Sequence, residues 1–516
     1  MGSGVDSKAT FRTESVLKVA LLSRLNEGAD VDDVGTPLGV AFAELAADDP
    51  DRPAVTDAVA TATRAELEAA SNRLAREYAQ RGVGVGDYVT IGLHNGIGFV
   101  EAALATWKLG AVPQPVSPRL PARELEAILE LVRPALVVGL DAPGRASVPA
   151  GFAPAPTLPD GPLPAVVGPS LKAPTSGGST GRPKVIVSTQ APVLEQAVLT
   201  GLAVRVPVEG VALMPGSLYH NGPFATATSA LFLGCHLIVM PRFDAAATVE
   251  LVARHRVDWL YAVPTMLHRM AKLPAGELAA ADLSSLRTVV TMAAACPEWL
   301  KRFWIDRVGA STVVELYGAT EAQAITVIDG EEWLAHPGSV GRPVVGEISV
   351  RDADGRELPP GGVGEVWMRR SAAESGPYRY LGAEPREAAE GWQSVGDMGH
   401  VDAEGYLYLA DRISDLILVG GSNVYPAEVE AALDEHPAVQ SSCVIGLPDA
   451  EYGETVHAIV QTSGPVADDE LLAHLAERLV RYKLPRSIER VDRPLRDDAG
   501  KVRRAALRAE RVGVTP

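Results

Sequence analysis

The feature that most constrains the fold is a repeated alternation of helix-forming and strand-forming segments, which begins near residue 65. Leu67, Ala70, Leu74 and Tyr78 recur at helical spacing, and Gly82 is suited to end that helix. The apolar run in DYVTIGL then predicts a strand, and the same pair of elements follows twice more. The segment ATVELVARHRVDWLYAVP repeats the order further along the chain. Because strands that alternate with helices form parallel sheets covered by those helices, the sequence predicts an α/β fold.

Changes in composition divide the 516-residue chain into parts. Residues 140–170 are rich in Pro, Ala and Gly, which predicts a connection and a subdomain break. Beyond GEVWMRR, the segment GHVDAEGYLYLADR predicts short strands around an Asp-Ala-Glu-Gly turn. We therefore expect a large N-terminal domain over residues 1–411 and a small α+β domain over residues 412–516, with helices over 427–434 and 470–480.

The bulk composition narrows the class of partner. The net charge is −18 and the isoelectric point is about 5.1, which argues against nucleic acid or an anionic membrane as the main partner. The three cysteines, Cys235, Cys296 and Cys443, are far apart and suit a reducing cytosol. Because no apolar stretch approaches the ~20 residues of a membrane helix and no signal peptide is visible, we expect a cytoplasmic protein without a membrane span. Its oligomeric state, for example a homodimer, is left open.

The segment PTSGGSTGRPK, residues 174–184, contains the groups of a polyphosphate-binding loop. Its glycines let the backbone turn tightly and direct several N–H groups at one anion, while hydroxyls and a lysine add further donors. The candidate phosphate ligands are Ser176, Gly177, Gly178, Ser179, Thr180, Gly181 and Lys184.

Three other interpretations compete for this segment. GGSTG matches the nucleophile elbow of hydrolases with Ser179 at its centre, but Arg182-Pro183 is unsuited to the helix that must follow. A Walker A loop needs Gly-Lys-Ser/Thr, whereas Lys184 lies between Pro183 and Val185. A flexible surface loop rich in Gly and Ser stays open from this segment alone.

Together with LYGATEA, residues 316–322, this loop resembles the signatures of the acyl-adenylate-forming superfamily, and its acyl-CoA synthetase branch in particular. The superfamily also includes the adenylation domains of peptide synthetases and the luciferases. The resemblance implies that Tyr317 stacks on adenine beside Gly318, that Thr320 contacts phosphate and that Glu321 binds Mg²⁺. A hard cation such as Mg²⁺ prefers carboxylate and phosphate oxygens, which agrees with that role. By itself, the segment would suit a turn at the end of a strand.

Further segments follow in the order that the superfamily has. MAAACP places Ala294 at the adenine site, although small residues also suit a tightly packed strand end. SVGDMG places Asp397 at the ribose hydroxyls, and LADRISD places Arg412 beside the ribose and Ser414 at the interdomain hinge, where the superfamily more often has Asp or Lys. DDAGKVRR places Lys501 where a catalytic lysine contacts the acid and the α-phosphate. Without the other motifs, a lysine in such a basic segment would be taken as solvated.

The resemblance also implies positions for the acyl group and for the accepting thiol. His220 corresponds to a gate beside the acyl pocket, and the chain shows no histidine spacing that would predict zinc. Gly420, Gly421 and Ser422 resemble the loop that faces the site during thioester formation, and the same glycines also suit a plain β-turn. The predicted acyl-pocket residues are His220, Asn221, Phe224, Val263, Ala293 and Gly318.

The resemblance extends from about residue 40 to about residue 508 and implies both architecture and activity. It implies helix-covered, mostly parallel sheets with a β-barrel-like subdomain, followed by a mobile C-terminal domain. It implies activation of an acid by ATP and Mg²⁺, with coenzyme A as co-substrate. The catalytic residues would be Lys501, Glu321, Thr320 and His220. Small residues near the adenylate favour a bulky hydrophobic acid.

Two other functions stay open at this point. The same adenylation could be followed by transfer to an amine or to a carrier-protein thiol, because these enzymes share their catalytic motifs. From a different class, the chain could be a non-catalytic relative that binds an acyl group or a nucleotide. The joint presence of Glu321, Asp397, Arg412 and Lys501 argues against that second function.

Overall fold

The computed structural model describes residues 35–177, 183–370, 376–420, 422–449, 451–497 and 500–512. Within these ranges the chain forms two compact units. Unit 1 takes the described residues up to 175, with 187–212 and 218–241, and unit 2 takes 176–186, 213–217 and the residues from 242 onward. Among the helices in the described ranges, none is long and apolar enough to cross a lipid bilayer.

Unit 1 contains a four-stranded, wholly parallel sheet, as the alternation of helix and strand predicted. Its strand order is Val112–Pro115, Tyr88–Ile91, Leu136–Val138 and Ser147–Val148. The strand residues are almost all buried, as is usual for parallel sheets. Within residues 140–170, Ser147–Val148 is a strand and the remainder has neither helix nor strand, in agreement with the predicted connection.

Helices make up most of the rest of unit 1. The predicted helix near residue 65 is confirmed, and it begins at a capping box in which Thr63 and Glu66 bond to each other's backbone N–H groups. The helices are Leu38–Asp48, Arg64–Gln80, Ile97–Lys108, Ala122–Val132, Leu194–Ala203 and Asn221–Phe232. Further strands are Pro53–Thr56, Thr61–Thr63 and His236–Val239, and Val211–Met214 has residues in both units.

The central sheet of unit 2 is parallel on one side and antiparallel on the other. Its strand order is Trp259–Tyr261, Thr288–Thr291, Val313–Gly318, Ile325–Asp329 and Arg342–Val345. The first three strands run parallel, and the last two pair antiparallel. The associated helices are Ala245–His255, Pro264–Ala271, Ala275–Ala280, Glu298–Val308 and Gly330–Ala335, with a short 3₁₀ helix at Ala310–Thr312.

Two smaller sheets follow. The first lies in unit 2, in the region where the sequence predicted short strands, and two strands of the second, Pro183–Ser188 and Thr175–Gly177, have residues in both units. One has the order Arg386–Glu387, Gln393–Ser394, Gly364–Arg369, Asp397–Val401 and Leu407–Arg412, with Glu347–Arg351 also paired to Gly364–Arg369. The other has the order Tyr378–Leu381, Pro183–Ser188 and Thr175–Gly177. Short 3₁₀ helices lie at Ala389–Gly391 and Ile413–Asp415.

The last part of unit 2 is a five-stranded sheet with helices, which agrees with the predicted α+β character. Its core includes Val429, Leu433, Val444, Ala458 and Leu471. The strands are ordered Ser422–Val424, Ile417–Val419, Gly453–Thr462 and Val439–Asp449, with Ser487–Arg490 paired to Gly453–Thr462. The helices are Pro426–Asp434, Asp468–Ala476 and Arg504–Val512, with a 3₁₀ turn at Arg481–Lys483. The helix predicted to reach residue 480 ends at Ala476.

Candidate active site

The central sheet of unit 2 brings several predicted site residues to one edge. Its first three strands are parallel, so their carboxyl ends meet there. Val263 follows the first strand, Ala293 and Ala294 follow the second, and Tyr317 and Gly318 end the third. Ligands of open α/β sheets bind outside the carboxyl ends of parallel strands. The tertiary structure therefore gathers these residues at the edge where a ligand is expected.

Glu321 lies in the turn that follows the third strand, and it is paired with Lys184. The turn closes with a hydrogen bond of 3.0 Å from the N–H of Ala322 to the carbonyl of Ala319. The Glu321 side chain is 6 % exposed, and Lys184 Nζ lies 3.2 Å from its Oε1. A nearly buried carboxylate is stabilised by such a cation, since an unpaired buried charge is costly. The residue predicted to bind metal and the lysine predicted to bind phosphate are thus direct neighbours.

Tyr380 is a third member of this group, and the sequence did not single it out. Its phenol donates to Oε1 of Glu321 at 2.5 Å, and Lys184 Nζ lies 4.3 Å above the centre of its ring. Burial raises the pKa of Tyr380 well above its usual range, and the Glu321 carboxylate raises it further. The segment YRYLG carries no motif that would distinguish this tyrosine from others, so only the tertiary structure identifies it.

Tyr317, Asp397 and Arg412 form a second group. The Tyr317 phenol donates to Oδ2 of Asp397 at 2.8 Å, and Arg412 Nε lies 3.2 Å from Oδ1. Burial raises the pKa of Tyr317 well above its ordinary value, and the Asp397 charge adds to this effect. Of the three residues that the resemblance assigned to adenosine, Tyr317 and Arg412 therefore both contact the Asp397 carboxylate.

Lys501 lies on a tight turn in the last part of unit 2. Its N–H donates to Oδ1 of Asp497 at 2.9 Å, and the N–H of Gly500 donates to the Asp497 carbonyl at 2.9 Å. Lys501 is exposed. Partial desolvation lowers the pKa of its side chain, and the Arg412 guanidinium lowers it further. The carboxylates of Asp497, Glu321 and Asp397 act in the opposite direction and raise that pKa. The pKa of Lys501 is therefore influenced by Glu321 of the first group and by Asp397 and Arg412 of the second.

The remaining acyl-pocket predictions fall in unit 1. His220 precedes the helix Asn221–Phe232, and the Asn221 side chain accepts a hydrogen bond of 2.6 Å from Lys172 Nζ. Burial lowers the pKa of Lys172 to about 8. Phe224 is 3 % exposed and packs against the Trp107 ring at a centroid distance of 5.7 Å.

Several predicted residues have few described contacts. Gly420 and Ser422 belong to a hairpin in which Val419 pairs with Ser422. The Ser414 hydroxyl donates to the adjacent Asp415 carboxylate at 3.1 Å, and Thr320 lies in the turn before Glu321. The predicted residues Gly178, Ser179, Thr180, Gly181 and Gly421 lie outside the described residues, as does the side chain of Ser176.

The charges of this region suit a nucleotide polyphosphate with a hard cation. Lys184 supplies a positive charge beside the glycine-rich segment, and Glu321 supplies a nearly buried carboxylate. Mg²⁺ usually binds one or two carboxylates together with phosphate oxygens, so a single carboxylate at this place fits that ion. Asp397 offers a carboxylate that can accept two hydrogen bonds from a vicinal diol.

Comparison with known proteins gives two family matches. The model of the AMP-binding enzyme family matches residues 42–160 and 174–376. The model of the AMP-binding enzyme C-terminal domain matches residues 428–501. The first match alone covers more than half of the chain.

Individual proteins are similar over most of their length. A long-chain-fatty-acid–CoA ligase of Mycobacterium tuberculosis, FadD13, is 31 % identical over 477 residues, which cover 88 % of this chain and 94 % of that protein. The o-succinylbenzoate CoA synthetase of Bacillus subtilis, solved with an acyl-adenylate intermediate, is 27 % identical at a TM-score of 0.76, covering 92 % of this chain and 98 % of that one. The amide bond synthetase McbA of Marinactinospora thermotolerans is 26 % identical at a TM-score of 0.75, and the match covers 92 % of this chain and 99 % of that one.

Proposed function

Because the chain belongs to the acyl-CoA synthetase branch of the AMP-binding enzymes, which are AMP-forming acid–CoA ligases, we propose that it activates a hydrophobic carboxylic acid with ATP and transfers the acyl group to coenzyme A. The products are acyl-CoA, AMP and pyrophosphate. The observation that carries this proposal is the Lys184–Glu321 ion pair of 3.2 Å, which joins positions 137 residues apart. A lysine beside the glycine-rich segment and a nearly buried carboxylate together suit a metal–nucleotide complex, because Mg²⁺ binds carboxylate and phosphate oxygens.

The first half-reaction needs positioning and charge neutralisation more than a protein nucleophile. A carboxylate oxygen of the acid attacks the α-phosphorus of ATP, forms the acyl-adenylate and displaces pyrophosphate. We assign the β- and γ-phosphates to the glycine-rich segment and Lys184. Tyr317, Asp397 and Arg412 would hold the adenosine, since an aromatic ring stacks on a base and a carboxylate binds a diol.

Charge develops on the attacking acid and the α-phosphate, and we assign its stabilisation to Lys501. A positioned cation acts strongly where charge grows in the transition state. Partial desolvation and the nearby Arg412 charge lower the pKa of Lys501, while the carboxylates of Asp497, Glu321 and Asp397 raise it. When bound, Mg²⁺ would be held by Glu321 and would neutralise phosphate charge.

The second half-reaction brings the coenzyme A thiol to the acyl carbon. We propose that residues 412–516 move as the small domain about Ser414, and that Gly420, Gly421 and Ser422 then face the site. Reorientation of this kind often limits turnover in other enzymes. Two further expectations stay predictions: a cytoplasmic location, which the three scattered cysteines favour, and a homodimer.

The choice of a hydrophobic acid rests on small and apolar side chains. Ala293, Ala294 and Gly318 have small or no side chains and lie at or beyond the carboxyl ends of parallel strands, where the adenylate is proposed to bind. Val263, at the same edge, is 1 % exposed and apolar. The names of relatives that specify a long-chain fatty acid and o-succinylbenzoate support this choice, whereas a relative from Cupriavidus necator is named for sulfoacetate, a small polar acid.

An amine acceptor is the second candidate for the final step. The likeness to the amide bond synthetase of Marinactinospora thermotolerans favours it, because that protein is similar over 92 % of this chain. Both candidates share the adenylation, so they differ only in the product formed after the acyl-adenylate.

The test is product analysis with ATP, Mg²⁺ and a panel of fatty, aromatic and short polar acids. We expect acid-dependent pyrophosphate release that is fastest with large apolar acids, and an acyl-CoA mass when coenzyme A is present. If pyrophosphate is released but no thioester forms, and an amide appears when amines are added, the acceptor is an amine rather than coenzyme A. Absence of acid-dependent pyrophosphate across the panel would refute acid activation.

A matched pair of variants tests the assigned lysine. Lys501→Ala should lower the rate of acyl-adenylate formation by about 10²-fold or more, as loss of one charge-stabilising group does. Lys483→Ala removes another lysine from the last part of unit 2, where it is paired with Glu428 at 2.6 Å, and should leave that rate nearly unchanged. Equal losses in both variants would contradict the role given to Lys501.

A further inference from the structure

Tyr380 joins the two charged residues of the cluster formed by Lys184, Glu321 and Tyr380, which we call the phosphate-loop cluster. It lies on the strand Tyr378–Leu381, which is hydrogen-bonded to the strand Pro183–Ser188 that carries Lys184. This pairing brings Lys184 Nζ to 3.1 Å from the Tyr380 hydroxyl, although 196 positions separate them in the chain.

The hydrogen-bond directions in the cluster follow from its chemistry. An ammonium group has donors and no acceptor, so the Tyr380 oxygen accepts from Lys184. The single phenolic proton is then donated to Oε1 of Glu321, at 2.5 Å.

The two oxygens of Glu321 are in different situations. Oε1 accepts from both Tyr380 and Lys184, at 2.5 and 3.2 Å. Within the described part of the chain, Oε2 has no hydrogen bond or ion pair. The side chain is only 6 % exposed, so its orientation depends on these partners rather than on solvent. One oxygen is therefore held, and the other can bind a ligand.

We propose that Tyr380 is a positioning residue, which holds Oε1 of Glu321 so that Oε2 is left for a divalent cation that enters with the nucleotide. The inference rests on the proposed function, because that function supplies the metal–nucleotide complex. Groups that orient a metal-binding carboxylate through a hydrogen bond contribute to metal affinity without touching the metal. Tyr380 has this relation to Glu321.

The ion pair between Lys184 and Glu321 makes the two ligands depend on each other. A phosphate that draws Lys184 away leaves the nearly buried Glu321 carboxylate without its cation, which is costly. A metal bound at Oε2 then supplies that carboxylate with a new cation. When both ligands enter together, two new ion pairs replace the old one. ATP and Mg²⁺ therefore bind with positive coupling, and Tyr380 sustains it by keeping Glu321 in place after Lys184 leaves.

The experiment is calorimetric titration of ATP in the absence of any acid, with EDTA and again with saturating Mg²⁺. In the wild type we expect Mg²⁺ to tighten ATP binding. In Tyr380→Phe this enhancement should fall by about tenfold, the usual effect of removing an orienting partner of a metal ligand. ATP affinity in EDTA should change little. Mn²⁺, which binds such ligands more tightly than Mg²⁺ does, should restore part of the loss.

Tyr406 provides a matched control within the same unit. Its phenol donates to Glu332 Oε1 at 2.5 Å, and the Arg342 guanidinium lies 4.8 Å from its ring centre. Tyr406→Phe therefore removes the same kind of bond beside the same kind of cation, away from the phosphate-loop cluster. It should leave the Mg²⁺ enhancement unchanged.

A double-mutant cycle separates positioning from a general structural effect. In a Glu321→Gln background, Tyr380→Phe should produce no further loss of Mg²⁺ enhancement, because the carboxylate it orients is gone. Full enhancement in Tyr380→Phe, an equal loss in Tyr406→Phe, or no enhancement in the wild type would each overturn the inference. If the enhancement depends on Tyr380 while no acid releases pyrophosphate, the inference stands and the proposed acid activation fails.

Discussion

Tyr317 and Asp397 are joined by a hydrogen bond of 2.8 Å that spans 80 positions of the chain. Tyr317 is at the end of a parallel strand of the central sheet of unit 2, and Asp397 begins a strand of the neighbouring antiparallel sheet. Arg412, in register with Asp397 on the adjacent strand, contacts the other carboxylate oxygen at 3.2 Å. The carboxylate is thus fixed beside the aromatic ring that we assign to adenine.

Variants of Tyr317 should separate stacking from hydrogen bonding. Tyr317→Phe keeps the ring and loses one hydrogen bond, so ATP affinity should fall about fivefold, which corresponds to roughly 1 kcal/mol. Tyr317→Ala also loses the stacking surface, which contributes about 1–3 kcal/mol per base. Its ATP affinity should therefore be roughly tenfold lower than that of Tyr317→Phe. Equilibrium titration with ATP measures both.

The control for this pair is Tyr408→Phe. Tyr408 donates to Asp402 at 3.2 Å, so the variant breaks a tyrosine–aspartate bond outside the proposed site. Its ATP affinity should match the wild type. Equal affinities for Tyr317→Phe and Tyr317→Ala would show that the ring does not stack on adenine.

Gly500→Ala should slow adenylation by displacing the turn that carries Lys501. Gly500 has a φ of +74°, and a Cβ there would lie 2.7 Å from Oγ1 of Thr265. We expect acyl-adenylate formation to slow by about tenfold, since small misplacements of catalytic groups have large effects. Stopped-flow measurement of pyrophosphate release checks this. Removing the obstacle in Gly500→Ala/Thr265→Ala should restore part of the rate.

Gly355→Ala is the matched control for backbone strain. Gly355 has a φ of +80° and nothing within 4 Å of the added Cβ. The variant should lose about 1 kcal/mol of stability and keep its adenylation rate. A similar loss of rate in both glycine variants would assign the effect to strain rather than to the position of Lys501.

Replacing Lys172 and Lys108 of unit 1 with methionine should have opposite effects on the stability of the protein. Lys172 has a neutral partner, Asn221, and its pKa of about 8 lies below the ordinary value of 10.5. Lys172→Met should therefore stabilise the protein at pH 7, by about 3 kcal/mol at most, from about 1.4 kcal/mol per pKa unit. Lys108 pairs with Glu68 at 2.5 Å, so Lys108→Met leaves a buried carboxylate unpaired and should cost about 3–5 kcal/mol.

The Lys172 effect should depend on pH in a defined direction. The folded state releases the Lys172 proton near pH 8, before the unfolded state does near pH 10.5, so wild-type stability rises over that interval. Urea unfolding at pH 7 and pH 10 should show a smaller advantage of Lys172→Met at the higher pH. An advantage that does not change with pH would contradict burial of the charged form.

Asp434→Asn should become relatively more stable as the pH rises. Burial raises the pKa of Asp434 to about 6, against its neighbour Arg496 and the hydrogen bond of 2.6 Å from Ser442. Because the folded pKa exceeds the unfolded value of 3.8, the wild type loses stability as the pH rises through that interval. The asparagine keeps an acceptor for Ser442 and lacks the titration.

Urea unfolding of wild type and Asp434→Asn at pH 4 and pH 8 measures this difference. The change in relative stability should be about 2–3 kcal/mol, from about 1.4 kcal/mol per pKa unit. If the difference in unfolding free energy between Asp434→Asn and the wild type is the same at pH 8 as at pH 4, ionisation of Asp434 does not destabilise the folded protein.

Local patterns predicted much of the secondary structure. The spacing of Leu67, Ala70, Leu74 and Tyr78 predicted the helix Arg64–Gln80, because apolar periodicity depends only on residues a few positions apart. The helix predicted up to residue 480 ended earlier, at Ala476, since periodicity does not fix where a helix ends. The roles of Ser179, Thr180 and the hinge residue Ser414 stay predictions.

The sequence by itself determined the family, several of the helices and strands, and the motifs that carry Lys184, Tyr317, Glu321 and Lys501. Each of these can be recognised from residues that are close together in the chain. Only the tertiary structure decided that Tyr380 contacts Glu321 and that Tyr317 contacts Asp397, across 59 and 80 positions of the chain. Such contacts depend on which strands pair and in what register, and no local pattern records that. The physical chemistry of the site lies in those long-range contacts, because they set the burial and the charge around each group.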